Sequence, residues 1–234
     1  MKHTIGIDSC KYGWIVTAFP IKGNELLWLR IVKNLSELHT LIKNSVATFI
    51  DIPIALSDSS EDRQCDVIAR KLLKKRASSV FKAPHIGSLS CKNYFEAKKC
   101  NLSATDKSMP IQTWNIIPKI IETRNLILKD ATLKEVIKES HPELAFMHLN
   151  SMVNLSYSKH SKKGIAERIN ILNKHTEKSK LYSLIENLNS KRLLPDLLDS
   201  LSLSIVSSKF YNNYITIPED SIFDITGLLM QITF

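Results

Sequence analysis

Two apolar segments of strand length, each ending on an aspartate, constrain the fold of this 234-residue chain more than any other feature. The first is Lys2-His3-Thr4-Ile5-Gly6-Ile7-Asp8 and the second is Val46-Ala47-Thr48-Phe49-Ile50-Asp51. Aspartate is a common turn residue, so one strand-ending aspartate has an ordinary structural explanation. If the two strands are adjacent and parallel, however, both carboxylates lie at the sheet edge where α/β proteins hold their ligands.

The segments between these aspartates predict how the strands are connected. Further strands are predicted at 13–19 and 25–32, with a turn at Lys22-Gly23-Asn24, so that three strands form an antiparallel meander. Residues 35–43 have the apolar spacing of a surface helix. Because a helix between two strands implies a crossover, the strand ending on Asp51 is predicted to lie parallel to one of the meander strands.

The composition predicts a folded chain of one domain, or one core with an inserted subdomain, and 44% of its residues are hydrophobic. No apolar run approaches the roughly 20 residues of a membrane helix, and Asp8 interrupts the apolar region that a signal peptide would need. The four cysteines form no Cys-x-x-Cys pair. Their wide spacing favours reduced thiols in a cytoplasmic protein.

The net charge of +9 is unevenly distributed, with basic regions at 63–82 and 159–180. Such regions favour polyanionic partners, nucleic acid above all. The alternative is that these lysines and arginines only solvate helix surfaces. Charge alone does not separate the two interpretations.

The middle of the chain is predicted to contain a largely helical insertion at about 59–130. Pro118 lies inside its last helix, at 110–129, and is expected to kink or divide it. A strand at 136–140 then leads into His141-Pro142-Glu143, where Pro142 suits the first position of a helix. Glu143 would be a third carboxylate at the same sheet edge, although an acid there also complements the helix dipole.

A final helix, beginning near Leu194, carries Asp196 and Asp199 three residues apart and therefore on one face. Its other residues are apolar on one side and small on the other. The two carboxylates repel each other, and the helix dipole offsets only about 0.3–1 kcal/mol for each of them. A bound cation would stabilise the pair much more, so this helix is the second feature that indicates a metal site.

The order of these features resembles the ribonuclease H-like fold, an α/β mixed sheet flanked by helices, here with a helical insertion. More closely, the chain resembles the DUF429 family of predicted nucleases within that superfamily. The segments that carry the resemblance are Gly6-Ile7-Asp8-Ser9-Cys10 with Gly13-Trp14, Ile50-Asp51-Ile52-Pro53-Ile54, Arg63-Gln64-Cys65-Asp66 with Ala69-Arg70, Arg76-Ala77-Ser78-Ser79-Val80-Phe81-Lys82-Ala83-Pro84, Gln112-Thr113-Trp114-Asn115-Ile116-Ile117-Pro118-Lys119-Ile120, His141-Pro142-Glu143 and Asp196-Leu197-Leu198-Asp199.

The resemblance implies a two-metal-ion nuclease whose acidic cluster is formed by Asp8, Asp51, Glu143 and one or both of Asp196 and Asp199. Oxygen ligands suit Mg²⁺ or Mn²⁺. By this interpretation Asp8 bridges two ions, Asp51 and Asp199 each complete one site, and Glu143 or Asp196 positions the attacking water. The metal ligands are then expected to be Asp8, Asp51, Glu143 and Asp199, and nucleic acid is the expected partner.

The resemblance also implies phosphate contacts from Arg76, Ser78, Ser79 and Lys119, if the insertion closes over the cluster. Their alternative roles are loop structure and surface solvation. The chain departs from the family pattern where members often have glycine after the first aspartate, an acid before the Asp-x-x-Asp motif and alanine after it. Here those positions are Ser9, Pro195 and Ser200, so the last helix carries one carboxylate fewer.

Two other functions compete with a nuclease. An actin-like nucleotide-binding or phosphotransfer protein shares the core strand order, but it needs glycine-rich hairpins around the phosphates. This chain has six glycines in all, and Ile52-Pro53-Ile54 follows the second aspartate where such a loop would be. A non-catalytic nucleic-acid-binding module would retain the acids only for structure, and the basic regions fit it equally well.

Overall fold

The computed structural model describes residues 1–188 and 190–234 and contains a mixed five-stranded sheet. Three strands form an antiparallel meander, and the fourth and fifth strands continue the sheet in parallel with the first. This confirms the predicted meander and crossover, in an α/β fold compatible with the ribonuclease H-like arrangement. The sheet order is β3-β2-β1-β4-β5, with the strands β1 (His3–Cys10), β2 (Gly13–Pro20), β3 (Trp28–Val32), β4 (Ala47–Ile50) and β5 (Ile137–Glu139).

Helices flank this sheet, and no helix in the described ranges is both long and apolar enough to cross a membrane. Short 3₁₀ segments occur at Leu35–Leu38, Lys74–Ser79, Ile86–Ser90 and Lys191–Leu193. The α-helices are α1 (His39–Lys43), α2 (Gln64–Leu73), α3 (Tyr94–Thr105), α4 (Ile111–Lys129), α5 (Leu133–Val136), α6 (Pro142–Leu149), α7 (Lys162–Leu172), α8 (Lys178–Glu186) and α9 (Leu194–Lys209).

Helix α4 runs through Pro118 as one α-helix, so of the two predicted outcomes, a kink or a division, the proline does not produce the division. Pro118 is exposed, and the residues around it are held by packing. Ile117 belongs to a small core within the insertion, and Ile120 packs into the core beneath the sheet. Burial on both sides of the proline therefore outweighs the one backbone hydrogen bond that it removes.

The sequence near the C-terminus predicts two strands, at 214–218 and 222–233, but the strands observed there are much shorter. They are β6 (Thr216–Ile217) and β7 (Ile232–Thr233), which pair antiparallel. Pro218 ends β6, because proline has no N–H to donate to a neighbouring strand. Between them, Asp224 accepts hydrogen bonds from the backbone of Thr226 and Leu228, at 2.8 and 3.2 Å. The backbone there bonds to a side chain and forms a turn.

The two faces of the sheet are covered by different cores, and α9 packs closely on one of them. Ile5 and Ile7 of β1 face the first core, whereas the alternate positions Thr4 and Gly6 face α9. Thr4 Oγ1 donates to the Ser204 carbonyl at 2.7 Å, and Ser200 Oγ donates to the Gly6 carbonyl at 2.9 Å. The small side of α9 is therefore the side that contacts the sheet, which fixes the helix against β1.

Candidate functional site

Asp8 and Asp51 lie side by side at the carboxyl ends of two neighbouring parallel strands. Ile7 of β1 is level with Ile50 of β4, and the Asp51 N–H donates to the Ile7 carbonyl at 3.0 Å. Asp8 is buried and Asp51 is half-buried. Asp8 Oδ1 also accepts the N–H of Ser9 at 2.7 Å, which orients that carboxylate. The structure thus brings the two strand-ending aspartates together as the sequence predicts.

Helix α9 brings two more carboxylates to this sheet edge, and α6 brings a fifth. Asp199 is buried, Asp196 is half-buried, and both lie within the four residues before Ser200, which contacts β1. Glu143 is buried in the first turn of α6, which begins at Pro142 as predicted. All five side chains line one cavity of about 490 Å³. We call this cavity the carboxylate cleft.

Burial and mutual repulsion raise the pKa values of several acids in the carboxylate cleft. The pKa of Asp8 lies well above its ordinary value because of its burial and the negative charges of Asp51 and Asp199. The pKa of Asp51 is raised by its burial, although His141 and Lys159 oppose the shift. Burial raises the pKa of Asp196 from 3.8 to about 6. The cleft therefore concentrates more negative charge than its own residues neutralise, which favours cation binding.

Lys159 is a cation of the cleft that the sequence did not indicate. Its Nζ donates to Asp199 Oδ2 at 2.6 Å. Burial works to lower the pKa of Lys159, but the charges of Asp199 and Asp8 outweigh it and raise the pKa. The second oxygen of Asp199, Oδ1, is buried and finds no hydrogen-bond partner in the described ranges. In the sequence, Lys159 is simply the first residue of a basic region.

Glu143 is held by two arginines. Its Oε1 accepts from Arg76 Nη2 at 2.8 Å and from Arg168 Nη2 at 2.5 Å. The Arg168 side chain is fully buried and also donates to the Tyr157 carbonyl at 3.2 Å. Glu143 Oε2 is buried with no partner among the described residues. The carboxylate is thus fixed in place with one oxygen left over for a ligand.

His141 is a further residue of the cleft to which the sequence assigned no role. Its Nδ1 accepts the N–H of Glu143 at 3.2 Å, and its Nε2 lies 3.2 Å from the Ser79 carbonyl. An Nδ1 that accepts leaves the proton on Nε2, which can donate to that carbonyl. His141 therefore connects the start of α6 to the loop at Ser79.

The predicted phosphate contacts separate into two groups. Arg76, Ser78 and Ser79 line the carboxylate cleft. Lys119 is not one of its lining residues: its Nζ lies 4.3 Å from the centroid of the Trp14 ring and 3.8 Å from Glu122 Oε2. Lys119 as a substrate contact stays a prediction.

A second group of potential metal ligands lies at the end of β5. Among the described residues, Cys65, Asp66 and Glu139 are the group of three whose ligand atoms all lie within 4.8 Å. Arg63 already donates to two of them, at 2.7 Å to Asp66 Oδ1 and 2.6 Å to Glu139 Oε1. This buried group meets the distance requirement of a metal site, but the guanidinium group of Arg63 already balances much of its negative charge.

The donor atoms of the carboxylate cleft are carboxylate oxygens, the type of ligand that Mg²⁺ and Mn²⁺ prefer. Asp199 Oδ1 and Glu143 Oε2 are buried without a hydrogen-bond partner in the part of the chain that is described. Such orphaned acceptors are costly unless they meet a cation or a donor. The residues that would hold divalent cations are therefore Asp8, Asp51, Asp199 and Glu143.

Comparison with protein families gives a match over most of the chain. Residues 6–221 match the model of the family described as "Protein of unknown function (DUF429)". The matched range includes all five carboxylates of the cleft, Lys159 and the whole insertion. Searches of curated proteins and of solved structures found no match.

Proposed function

The chain belongs to the DUF429 family, and we propose that it is a metal-dependent nuclease that hydrolyses phosphodiester bonds of nucleic acid. One observation carries this proposal: carboxylates from β1, β4, α6 and α9 line a single cleft, and burial and repulsion raise the pKa values of Asp8, Asp51 and Asp196. Divalent cations bound there would activate water and stabilise the leaving oxygen of a phosphodiester.

The residues of the cleft divide into three roles in this proposal. Asp8, Asp51 and Asp199 are the ligands, and Glu143 offers its free Oε2 from a position fixed by two arginines. Asp196 is half-buried with a pKa of about 6, which suits a group that accepts a proton from water near neutral pH. Arg76 borders the cleft and is suited to contact a phosphate, because one guanidinium group can donate two parallel hydrogen bonds to two phosphate oxygens.

Cleavage of labelled DNA and RNA panels tests the proposal. We expect cleavage of at least one polynucleotide with Mg²⁺ or Mn²⁺ and its loss on chelation. The Asp8→Asn protein, purified in parallel, controls for contaminating nucleases. Cleavage that survives chelation, or that Asp8→Asn does not reduce, would contradict the mechanism. If no polynucleotide is cut and ATP binds in calorimetry, the actin-like alternative replaces it.

Phe81 provides a second, independent test of nucleic acid as the substrate. This aromatic side chain lines the carboxylate cleft beside Lys82 and Arg76, and 59% of it is exposed. A base that stacks on an exposed aromatic ring gains about 1–3 kcal/mol. We therefore expect Phe81→Ala to weaken binding of a single-stranded oligonucleotide about tenfold, measured by fluorescence anisotropy without added metal.

The chain offers a matched control for this substitution. Phe95, on α3, is 80% exposed and is not a lining residue of the cleft, so Phe95→Ala should leave the affinity unchanged. Phe81→Trp retains a stacking surface and should bind as tightly as the wild type. Equal affinities for Phe81→Ala and the wild type would rule out stacking at this position.

A further inference from the structure

Lys159 places a positive charge among the carboxylates that would bind metal. Its ammonium contacts Asp199 at 2.6 Å, and its charge also acts on Asp8, Asp51 and Asp196. Four aspartates thus share one lysine. Buried like charges without a counter-ion are strongly unfavourable, so a positive charge within the cleft stabilises the ionised forms of these aspartates.

The spacing of the carboxylates fits a cleft arranged around an ammonium group. Among the described residues, no three carboxylates of the cleft have ligand oxygens that all lie within 4.8 Å of one another. A lysine ammonium is a compact charge on a flexible stem, with three donors that can rotate. It can therefore satisfy Asp199 without the close packing of oxygens that a small divalent cation requires.

The backbone that presents Lys159 is fixed, whereas its side chain has room to move. In the loop between α6 and α7, the N–H groups of Ser156 and Tyr157 donate to Glu167 at 2.8 and 3.1 Å. The Tyr157 carbonyl accepts from Arg168, the same residue that holds Glu143. The Lys159 side chain is nevertheless 32% exposed. It has a solvent-facing route away from Asp199.

We propose that Lys159 is the resident counter-ion of the carboxylate cleft and competes with divalent cations for Asp199. Its ammonium holds Asp199 and offsets the neighbouring aspartates before metal binds, and it leaves Asp199 when a cation takes that carboxylate. The inference rests on the proposed function for the identity of the cation. Lys159 is a positioning residue in this scheme, and it sets how tightly the cleft binds metal.

Mn²⁺ binding in the absence of nucleic acid tests the proposal, by calorimetry or by electron paramagnetic resonance of free Mn²⁺. Lys159→Met removes the charge and keeps most of the side chain, so we expect it to bind Mn²⁺ at least about tenfold more tightly than the wild type. Lys163→Met, an exposed site four residues away, makes the same change in net charge and should change the affinity less than about twofold. Lys159→Arg retains the charge and should bind like the wild type.

Labelling of the wild-type protein tests displacement without any substitution. We expect Mn²⁺ to increase the modification of Lys159 by acetic anhydride, measured by mass spectrometry, and to leave that of Lys163 unchanged. Equal Mn²⁺ affinity for the wild type and Lys159→Met, or a tighter Lys159→Arg, would overturn the counter-ion role and leave the nuclease proposal standing. If Lys159→Met binds Mn²⁺ more tightly than the wild type but the wild type cleaves no polynucleotide, the nuclease proposal is overturned and the counter-ion role stands. Absence of Mn²⁺ binding in every variant would overturn both.

Discussion

Replacing Asp8 with asparagine is expected to reduce Mg²⁺- or Mn²⁺-dependent cleavage by at least about a hundredfold, because it removes a charged ligand of the proposed metal site. The local structure should survive the change. The carbonyl oxygen of the introduced asparagine can still accept the Ser9 N–H, as Asp8 Oδ1 does at 2.7 Å. Loss of cleavage would then result from the missing charge of Asp8 and not from a change in the position of β1.

The same substitution is expected to stabilise the metal-free protein. Burial and the charges of Asp51 and Asp199 raise the pKa of Asp8 above its ordinary 3.8, so the folded state binds the proton more tightly than the unfolded state does. The stability of the wild type therefore falls as the pH rises above the unfolded pKa. Asparagine removes this contribution. In chelator at pH 8 we expect a Tm at least about 2–4 °C higher than that of the wild type, and a smaller difference at pH 5.

Asp62→Asn is a matched control, because Asp62 makes surface ion pairs with Lys107 and Lys82, at 3.1 and 3.4 Å. Those contacts lower its pKa against the opposing effect of partial burial. Its replacement should not raise the Tm and should leave cleavage intact. A lower Tm for metal-free Asp8→Asn would show that the cleft stabilises the charged form of Asp8, contrary to the raised pKa of this carboxyl group.

The parts of the site that were predictable from the sequence are those that depend on local pattern. The strand period and the intervening helix predicted that Asp51 follows a parallel strand, and the register places that strand beside β1. The i, i+3 spacing placed Asp196 and Asp199 on one face of α9, and Pro142 marked the start of α6. Each of these inferences uses residues close together in the chain.

The unpredicted parts depend on contacts between distant residues. Lys159 meets Asp199 across 40 residues and Arg168 meets Glu143 across 25, and both lysine and arginine lie in a region whose general basic character hides individual roles. Nothing in the local sequence distinguishes a lysine that enters a cleft from one that faces solvent. The same limit applies to Arg63, which pairs with Glu139 across 76 residues. Charge partners of this kind are decided by tertiary packing.

Gly6→Ala is expected to destabilise the protein strongly, because α9 packs closely on β1 at this position. A Cβ at position 6 would lie 2.1 Å from the Ser200 carbonyl oxygen and 2.4 Å from the Ser204 nitrogen. Both obstructing atoms belong to the backbone of α9, so no side-chain rotation relieves the clash and the helix has to move. Overpacking of a core costs about 1–3 kcal/mol. We expect a cost at or above the upper end of that range, seen as a Tm lower by about 6–12 °C.

Movement of α9 should also reduce metal binding, because Ser200 directly follows Asp199. We expect Gly6→Ala to bind Mn²⁺ more weakly than the wild type even at temperatures where the circular dichroism shows it folded. Gly87→Ala is the control: the nearest atoms to a Cβ there are side-chain atoms of His85 and Cys100, at 3.2 and 3.3 Å, so only a small side-chain shift is required and no backbone has to move. Adding Ser200→Ala to Gly6→Ala should not restore stability, since it removes a hydroxyl and leaves the backbone in place. A Gly6→Ala protein with unchanged Tm and unchanged Mn²⁺ affinity would mean that contact between α9 and β1 does not set the position of Asp199.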